Sequence, residues 1–486
     1  MLGAPVENMG VTPEVLPHEP MARSTRSGLK VVGVASTVAL GGFLVGFDAT
    51  VISGAVPFIR DYFGLGGPSG TLKLGWAVSC LGWGAMAGNL AAGSLSDRFG
   101  RRTVLLLTAV LFLASSLTAA LSTSFTVFVA ARICGGLGVG AAILTAPVYI
   151  AEIAPAQSRG RLVSLNQLMI VIGISVSFFS NYFLLSVGGE SWRWMLGVQA
   201  VPAALYFLLL TLVPESPRWL LSKGREKSAL AVLASVHGTA ASYRELASIQ
   251  TNLVKQSRHL DIRDLLTGRL RRVMIFGFGI AFFQQATGIN AIFYYLPTIF
   301  ASSGGSLATS FGQSVLVGLV NVAMTLVAIW LIDRLGRKPL LGIGIAGMTL
   351  SLLTISWAFH AAHASMAGQS PVSHETVVLV ALIAFVASFA ISLGPVMWVM
   401  LSEIFPNEER AAAISVVGFW NSLVSASVTL LFPKELATLG PDGTFLVYGL
   451  LAGAGLLFIV MLAPETKGKT LEELEGILVR PKQAPG

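Results

Sequence analysis

Two residues conflict with their surroundings. Asp48, in Gly46-Phe47-Asp48, and Arg132, which begins Arg132-Ile-Cys-Gly-Gly-Leu-Gly-Val-Gly140, each lie inside a long apolar run. One such charge at the centre of a transmembrane helix costs about 2.5–3.5 kcal/mol on insertion scales. Both are therefore expected to face a helix-bundle interior, and each other. Removal from water favours the neutral acid, whereas a nearby guanidinium favours the carboxylate. The proton affinity of Asp48 then depends on how close Arg132 is and whether water enters, which is the physics of a proton-coupling site. A third apolar run carries Gln284, Gln285 and Asn290, with Tyr294 one helical turn after Asn290 and Tyr295 beside it. Carboxamides offer two donors and an acceptor without charge, so they can hold a neutral, hydroxyl-bearing solute without binding it too tightly for release.

The elements that must position these groups are membrane helices. The chain has 486 residues, 54% hydrophobic and only 12% charged, against roughly 25% charged in a soluble domain. Apolar runs of about 20 residues, each able to span a bilayer as one helix, recur near 31–59, 74–95, 103–122, 126–153, 162–187, 192–213, 272–302, 309–332, 339–360, 376–402, 411–433 and 443–463. Long continuous runs, rather than ten-residue alternations, favour helices over a barrel. The expected fold is an all-α membrane protein of twelve transmembrane helices in two six-helix bundles, 31–213 and 272–463. A basic, polar linker at 214–271 joins them, and Lys223–Val236 and Ser242–Gln256 within it can form short amphipathic helices. Residues 1–30 and 464–486 are tails, and the first lacks the apolar segment of a signal peptide.

Arg98, Arg101, Arg102, Arg159, Arg161, the linker, Arg334, Arg337, Lys338, Arg410, Lys467 and Lys469 fall in one set of connections. Only Arg60, Lys73, Arg193 and Lys434 fall in the other. The positive-inside rule puts the first set and both termini in the cytosol. The halves repeat: Asp97-Arg-Phe-Gly-Arg-Arg102 is echoed by Asp333-Arg-Leu-Gly-Arg-Lys338, Glu152-Ile-Ala-Pro155 by Glu403-Ile-Phe-Pro406, and Pro214-Glu-Ser216 by Pro464-Glu-Thr466. Repeats of like topology are related by an axis along the membrane normal, with the solute between them near the midplane.

With these motifs in place, the chain resembles the sugar porter family of the major facilitator superfamily over nearly all of residues 31–475. Gly93-Ser-Leu-Ser-Asp97-Arg-Phe-Gly-Arg-Arg102 looks like the superfamily's loop motif. Pro214-Glu-Ser-Pro-Arg218, Pro464-Glu-Thr-Lys-Gly468, Gln284-Gln-Ala-Thr-Gly-Ile-Asn290 with Tyr294-Tyr295, and Gly394-Pro-Val-Met-Trp398 look like sugar-porter signatures. The resemblance is nearest to bacterial proton-coupled xylose, galactose and glucose symporters. It implies a monosaccharide–proton symporter of the bacterial cytoplasmic membrane, multi-pass and working as a monomer, with no nucleic-acid partner.

By the same resemblance, sugar hydroxyls meet Gln167, Gln284, Gln285, Asn290 and Asn321, while Trp398 lies beneath or beside the ring. Trp420 is counted with the pocket, and Tyr294 and Tyr295 belong to an outer gate. Some of these amides can instead only join neighbouring helices. The chain departs from the family where several relatives have an amide before Trp: here Phe419 precedes Trp420, and Asn421 can partly replace the lost contact or Phe419 and Trp420 can simply pack. Asp97, Arg98, Arg102, Glu152, Arg161, Glu215, Arg218, Asp333, Arg334, Arg337, Glu403, Arg410 and Glu465 can form cytosolic ion-pair networks. The resemblance implies that these hold the outward-facing state closed below; the bland alternative is charges that only set topology.

A static Asp48–Arg132 pair orienting two helices is the competing view of that site. It is less attractive because a buried ion pair is weak evidence for stability. The rival functions are a facilitative sugar uniporter with Asp48 inert and a non-transporting sugar sensor of transporter architecture. An enzyme is not expected: no phosphate-cradling glycine loop followed by Lys occurs, and no cofactor or metal is implied. Cys80 and Cys134 have no metal-ligand spacing, and His360, His363 and His374 fit a solvated loop better than a metal site.

Overall fold

The computed structural model describes residues 25–67, 70–155, 157–237, 239–255, 270–365, 374–406, 409–468 and 473–474. Most of the two expected tails, and linker residues 256–269, lie outside them. The described backbone is helical throughout its elements. In chain order these are α1 (Thr25–Tyr62), α2 (Thr71–Phe99), α3 (Arg101–Leu121), α4 (Phe125–Ile153), α5 (Arg159–Leu184), α6 (Ser191–Gly197), α7 (Ala200–Thr211), α8 (Pro217–Ser222), α9 (Glu226–His237), α10 (Thr239–Lys255), α11 (Arg271–Ala286), α12 (Ile289–Ser302), α13 (Leu307–Leu335), α14 (Arg337–Ser365), α15 (His374–Ile391), α16 (Leu393–Ile404) and α17 (Arg410–Leu462).

Among the described residues, ten stretches are long and apolar enough to cross a membrane. Two features extend them to the expected twelve crossings. α2 is diluted by small and polar residues, but packs closely along α4: a Cβ on Gly84, Gly88, Gly136 or Gly140 would lie within 2.3 Å of a backbone oxygen of the other helix. Small residues at such crossings let membrane helices approach. The last stretch, Ala412–Leu462, runs for 51 residues and doubles back. Gly440 inside it has non-helical angles (φ 72°, ψ 168°). The Tyr448 hydroxyl donates to Glu435 at 2.7 Å across 13 residues. Those residues would be about 20 Å apart along a straight helix at 1.5 Å rise per residue.

Three expected spans are interrupted helices. Span 192–213 is α6 and α7, span 272–302 is α11 and α12, and span 376–402 is α15 and α16. Hydropathy follows side-chain polarity, so it is blind to a backbone break that keeps the run apolar. At the α11–α12 break Gly288 is left-handed (φ 81°) and sits against the Tyr448 ring, 2.5 Å from where a Cβ would be. The linker helices α9 and α10 fall within two or three residues of the expected amphipathic segments. They form a small core of their own around Trp219, Leu220, Ala229, Leu233 and Leu246.

The face carrying the ends of α2, α4 and α7 and the starts of α3, α5 and α14 holds most of the arginines, and is called the basic face below. α1–α7 and α11–α17 meet toward the opposite face. There a Cβ on Gly75 of α2 would lie 2.0 Å from the Leu430 carbonyl of α17. Gly318 of α13 abuts Ser175 and Phe178 of α5, and the Phe178 and Phe293 rings stand 6.3 Å apart. Toward the basic face the same helices present exposed positions, among them Gln167, Trp398 and Phe419. The closest of these contacts between the halves therefore lie on the side of the bundle away from the basic face.

Candidate functional site

A cavity of about 120 Å³ lies between the halves. It is lined by Ala49 and Thr50 of α1, Gln167 and Ile174 of α5, Asn290, Phe293 and Tyr294 of α12, Asn321 and Thr325 of α13, and Gly394 and Pro395 of α16, among others. Ligand pockets of drug-sized molecules run to about 300–1,000 Å³, so this one suits a single small solute. Its wall combines amides, hydroxyls and aromatic faces without a formal charge, which matches a neutral polyol with apolar C–H faces.

The structure brings Gln167, Asn290, Asn321 and Tyr294 to the cavity wall. Trp398 is 41% exposed. It follows Gly394 by four residues on α16, hence lies on the same helix face one turn nearer the basic face. Gln284 and Gln285 are 3% and 8% exposed and lie just behind the wall in an amide network. Gln284 Nε2 donates to the Leu393 carbonyl at 2.7 Å, at the α15–α16 break. Gln285 Nε2 donates to Gln284 Oε1 at 3.2 Å and Asn421 Oδ1 at 3.1 Å. Asn290 Nδ2 donates to Gln285 Oε1 at 2.9 Å and Ser425 Oγ at 2.7 Å. Trp420 faces away from this network: its Nε1 donates to the Phe278 carbonyl at 3.2 Å and its ring meets Phe278 edge-on. It is a packing anchor between α17 and α11. Tyr295 is 1% exposed, lies 5.1 Å from the Phe432 ring, and lines a second recess with Arg60 and Asp61. Tyr294 and Tyr295 thus stand on the two sides of the seal between cavity and opposite face.

Asp48 and Arg132 are both 1% exposed. Arg132 Nη1 donates to Asp48 Oδ1, and Nη2 to the Asp48 carbonyl at 3.0 Å. Among the described residues Asp48 Oδ2 has no hydrogen-bond partner. It lies 3.0 Å from where a Cβ on Gly135 would be, a point 2.4 Å from Ser115 Oγ. The carboxyl is therefore held at one oxygen and unbonded at the other among the described residues, one residue along α1 from the cavity wall.

The basic-face motifs form two matching clusters. In the first half Arg101 Nε meets Glu152 at 3.1 Å, the Ser216 hydroxyl donates to Glu152, and Glu215 Oε1 accepts the Arg102 backbone N–H at 3.1 Å. In the second Arg337 forks onto Glu403 at 2.7–3.2 Å, the Thr466 hydroxyl donates to Glu403 at 2.6 Å, and Glu465 accepts the Arg337 and Lys338 backbone N–H groups at 3.2 Å each. Burial pushes the Glu465 carboxyl up, but the backbone N–H groups of Lys467, Arg337, Lys338 and Thr466 together outweigh that and hold it below the usual carboxylate range.

In this structure each cluster lies within its own half. Arg101, not the expected Arg102, is the pairing residue. Arg102 instead donates to the Leu210 and Thr211 carbonyls at the end of α7. The sequence signal for Arg101 was the repeat itself, since it matches Arg337. Asp97 accepts from Arg101 at 3.1 Å. Arg98 and Arg334 lie over the rings of Phe99 and Trp330. Arg161 is exposed and Arg218 half-buried, and Arg410 donates to the Phe405 carbonyl at 3.2 Å. The Asp333 side chain lies outside the described residues.

Comparison with known proteins agrees with this geometry. Residues 34–478 match the family model described as "Sugar (and other) transporter". The arabinose-proton symporter of Bacillus subtilis is 36% identical over 472 residues, covering 96% of this chain and 98% of that one. The xylose transporter XylE from E. coli, in a partially occluded inward-open conformation, superposes with a TM-score of 0.80 at 34% identity, covering 90% of this chain and 99% of the other. The proton:xylose symporter XylE bound to 6-bromo-6-deoxy-D-glucose gives 0.74 at 34% identity, covering 93% and 100%.

Proposed function

The chain belongs to the sugar transporter family, and from that premise we propose that it carries a pentose or hexose together with a proton by alternating access. The observation that carries this reading is the half-satisfied carboxyl of Asp48, paired with Arg132 through one oxygen and unpartnered at the other, beside a cavity of neutral amides. Protonation at Oδ2 weakens the pull of Arg132 and removes the cost of enclosing a bare carboxylate. The loaded carrier can then close around sugar and proton together. Gln167, Gln284, Gln285, Asn290, Asn321 and Trp398 bind the sugar, and Tyr294 and Tyr295 gate it.

The charge distribution supports a basic face and both termini in the cytosol of a bacterium, with the chain in its cytoplasmic membrane. Residues 31–213 and 272–463 are the two moving halves, and 214–271 links them. The cavity then opens inward, a reading supported by the higher TM-score with the inward-open relative. Residues of one chain line the cavity, which supports work as a monomer.

The test is uptake of labelled xylose, arabinose or glucose into liposomes with an imposed pH gradient. Accumulation above equilibrium is expected for the native chain, and loss of accumulation with retained sugar exchange for Asp48→Asn. Uphill uptake by Asp48→Asn removes Asp48 as the coupling acid. Equilibration without accumulation by the native chain makes it a uniporter.

A further inference from the structure

We propose that Asn421 is a positioning residue that holds Gln284 and Gln285 out of the cavity while it opens to the basic face, so lowering sugar affinity on that side. The inference rests on the reading above that the two glutamines contact sugar.

Asn421 and Ser425 lie one turn apart on α17 and face the α11–α12 break. Asn421 is 6% exposed, and every polar atom of its side chain is bonded. Nδ2 donates to Gln284 Oε1 at 2.8 Å and to the Ala281 carbonyl at 3.0 Å. Oδ1 accepts from Gln285 Nε2 at 3.1 Å. Those are the functions that a sugar hydroxyl, donor and acceptor at once, would supply to the same two glutamines. Gln284 has its oxygen and one N–H bonded inside the protein, and Gln285 its oxygen and its nitrogen. Neither lines the cavity, whereas Asn290, Gln167 and Asn321 do. Asn321 presents its amide there without a hydrogen bond to any described residue.

A sugar entering from the basic face therefore meets the amides of Gln167 and Asn321 and the side-chain oxygen of Asn290, whose Nδ2 is already bonded to Gln285 and Ser425. It gains the two glutamines only by displacing Asn421. Because displacement exchanges one set of hydrogen bonds for another, those two contacts add little net affinity in this state. A carrier that must release its load on this side gains from such internal competition, provided the Asn421 bonds differ between its states. An apolar residue of similar size at 421 cannot compete.

The experiment measures sugar KM from each face separately, in right-side-out and inside-out vesicles holding the full chain, for D-xylose, L-arabinose and D-glucose. For Asn421→Leu the KM at the basic face is expected to fall about fivefold, the value of one net hydrogen bond, with the opposite face changed less than about twofold. A residue that merely stabilises the pocket would raise KM at both faces, and that result, or no change, overturns the proposal. Asn421→Thr, which keeps a hydroxyl for one glutamine, is expected to give an intermediate fall and serves if the Leu variant does not assemble; an unchanged or raised KM in it likewise overturns the proposal. Gln285→Ala separates the two readings. If it leaves every KM unchanged, the assignment of the glutamines to sugar fails; if it raises KM while Asn421→Leu does not lower it, only the role of Asn421 fails.

Discussion

Arg132 holds Asp48 at two points, the carboxylate through Nη1 and the backbone carbonyl through Nη2 at 3.0 Å. The second contact does not depend on the charge of the carboxyl. On the proposed role of Asp48, this contact would keep Arg132 beside α1 through a protonation cycle and let the ion pair re-form.

This arrangement separates two ways of breaking the pair. Arg132→Ala leaves a bare carboxylate 1% exposed, and uncompensated buried charges of this kind cost about 3–5 kcal/mol. The double variant Asp48→Asn with Arg132→Leu removes both charges. Thermal unfolding in detergent should show a large loss of Tm for Arg132→Ala and a smaller one for the double variant. Equal losses would mean that the pair acts through packing and not through charge.

Gly135 guards the open oxygen. A methyl group there would lie 2.4 Å from Ser115 Oγ and 3.0 Å from Asp48 Oδ2, occupying the space next to the atom proposed to receive the proton. Gly135→Ala is expected to reduce proton-driven accumulation about tenfold, a barrier change near 1.4 kcal/mol, while sugar exchange persists. Ser115→Ala in the same chain relieves the nearer contact and should restore part of the accumulation. Loss of exchange as well would point to a helix displaced as a whole.

The basic-face clusters yield a contrast between adjacent arginines. Arg101 pairs with Glu152 at 3.1 Å, and both side chains are largely buried, 13% and 6% exposed. Arg102 reaches only carbonyls at the end of α7. Arg101→Ala should lower both Tm and transport rate, with a loss of about 1–3 kcal/mol because Glu152 is left without its cation. Arg102→Ala should cost less, about 1 kcal/mol as a lost helix-end cap, with transport nearly intact. Parallel measurements on Arg337→Ala, held by the matching Glu403, should follow Arg101 and not Arg102.

Arg101 also shows where sequence reading stops. Asp48 and Arg132 were legible because a charge inside an apolar run has few places to go. The twelve crossings were legible from hydropathy, and the amides that gather at the cavity from their motif. Arg102 was chosen over Arg101 because both lie in one motif and only coordinates tell which guanidinium turns toward Glu152. The Asn421 bond to Gln284 spans 137 residues, so no local pattern carries it. The breaks at Gly288 and Ser392 leave the apolar runs continuous, whereas the reversal near Gly440 falls in the polar stretch 434–442 that divides the last two runs. The two breaks depend on how α11, α12, α15 and α16 pack, which is a tertiary property.

Glu465 gives the pH dependence. Its folded carboxyl is held below the ordinary value of 4.5 because backbone N–H bonds outweigh burial. A lowered folded pKa means stability that is fully present above 4.5 and is lost as pH falls through the folded value. Glu465→Gln keeps the shape but loses the charge that strengthens the bonds to Arg337, Lys338 and Lys467 at 2.9–3.2 Å. At pH 7 the variant is expected to unfold at a lower temperature than the native chain. The gap between them should narrow only below pH 4.5, as the native carboxyl takes up its proton. Tm measured from pH 7 down to pH 3 on both chains checks this, with Glu215→Gln, its counterpart in the first half, as the comparison. A gap that stays constant with pH would show that the Glu465 bonds do not depend on its charge.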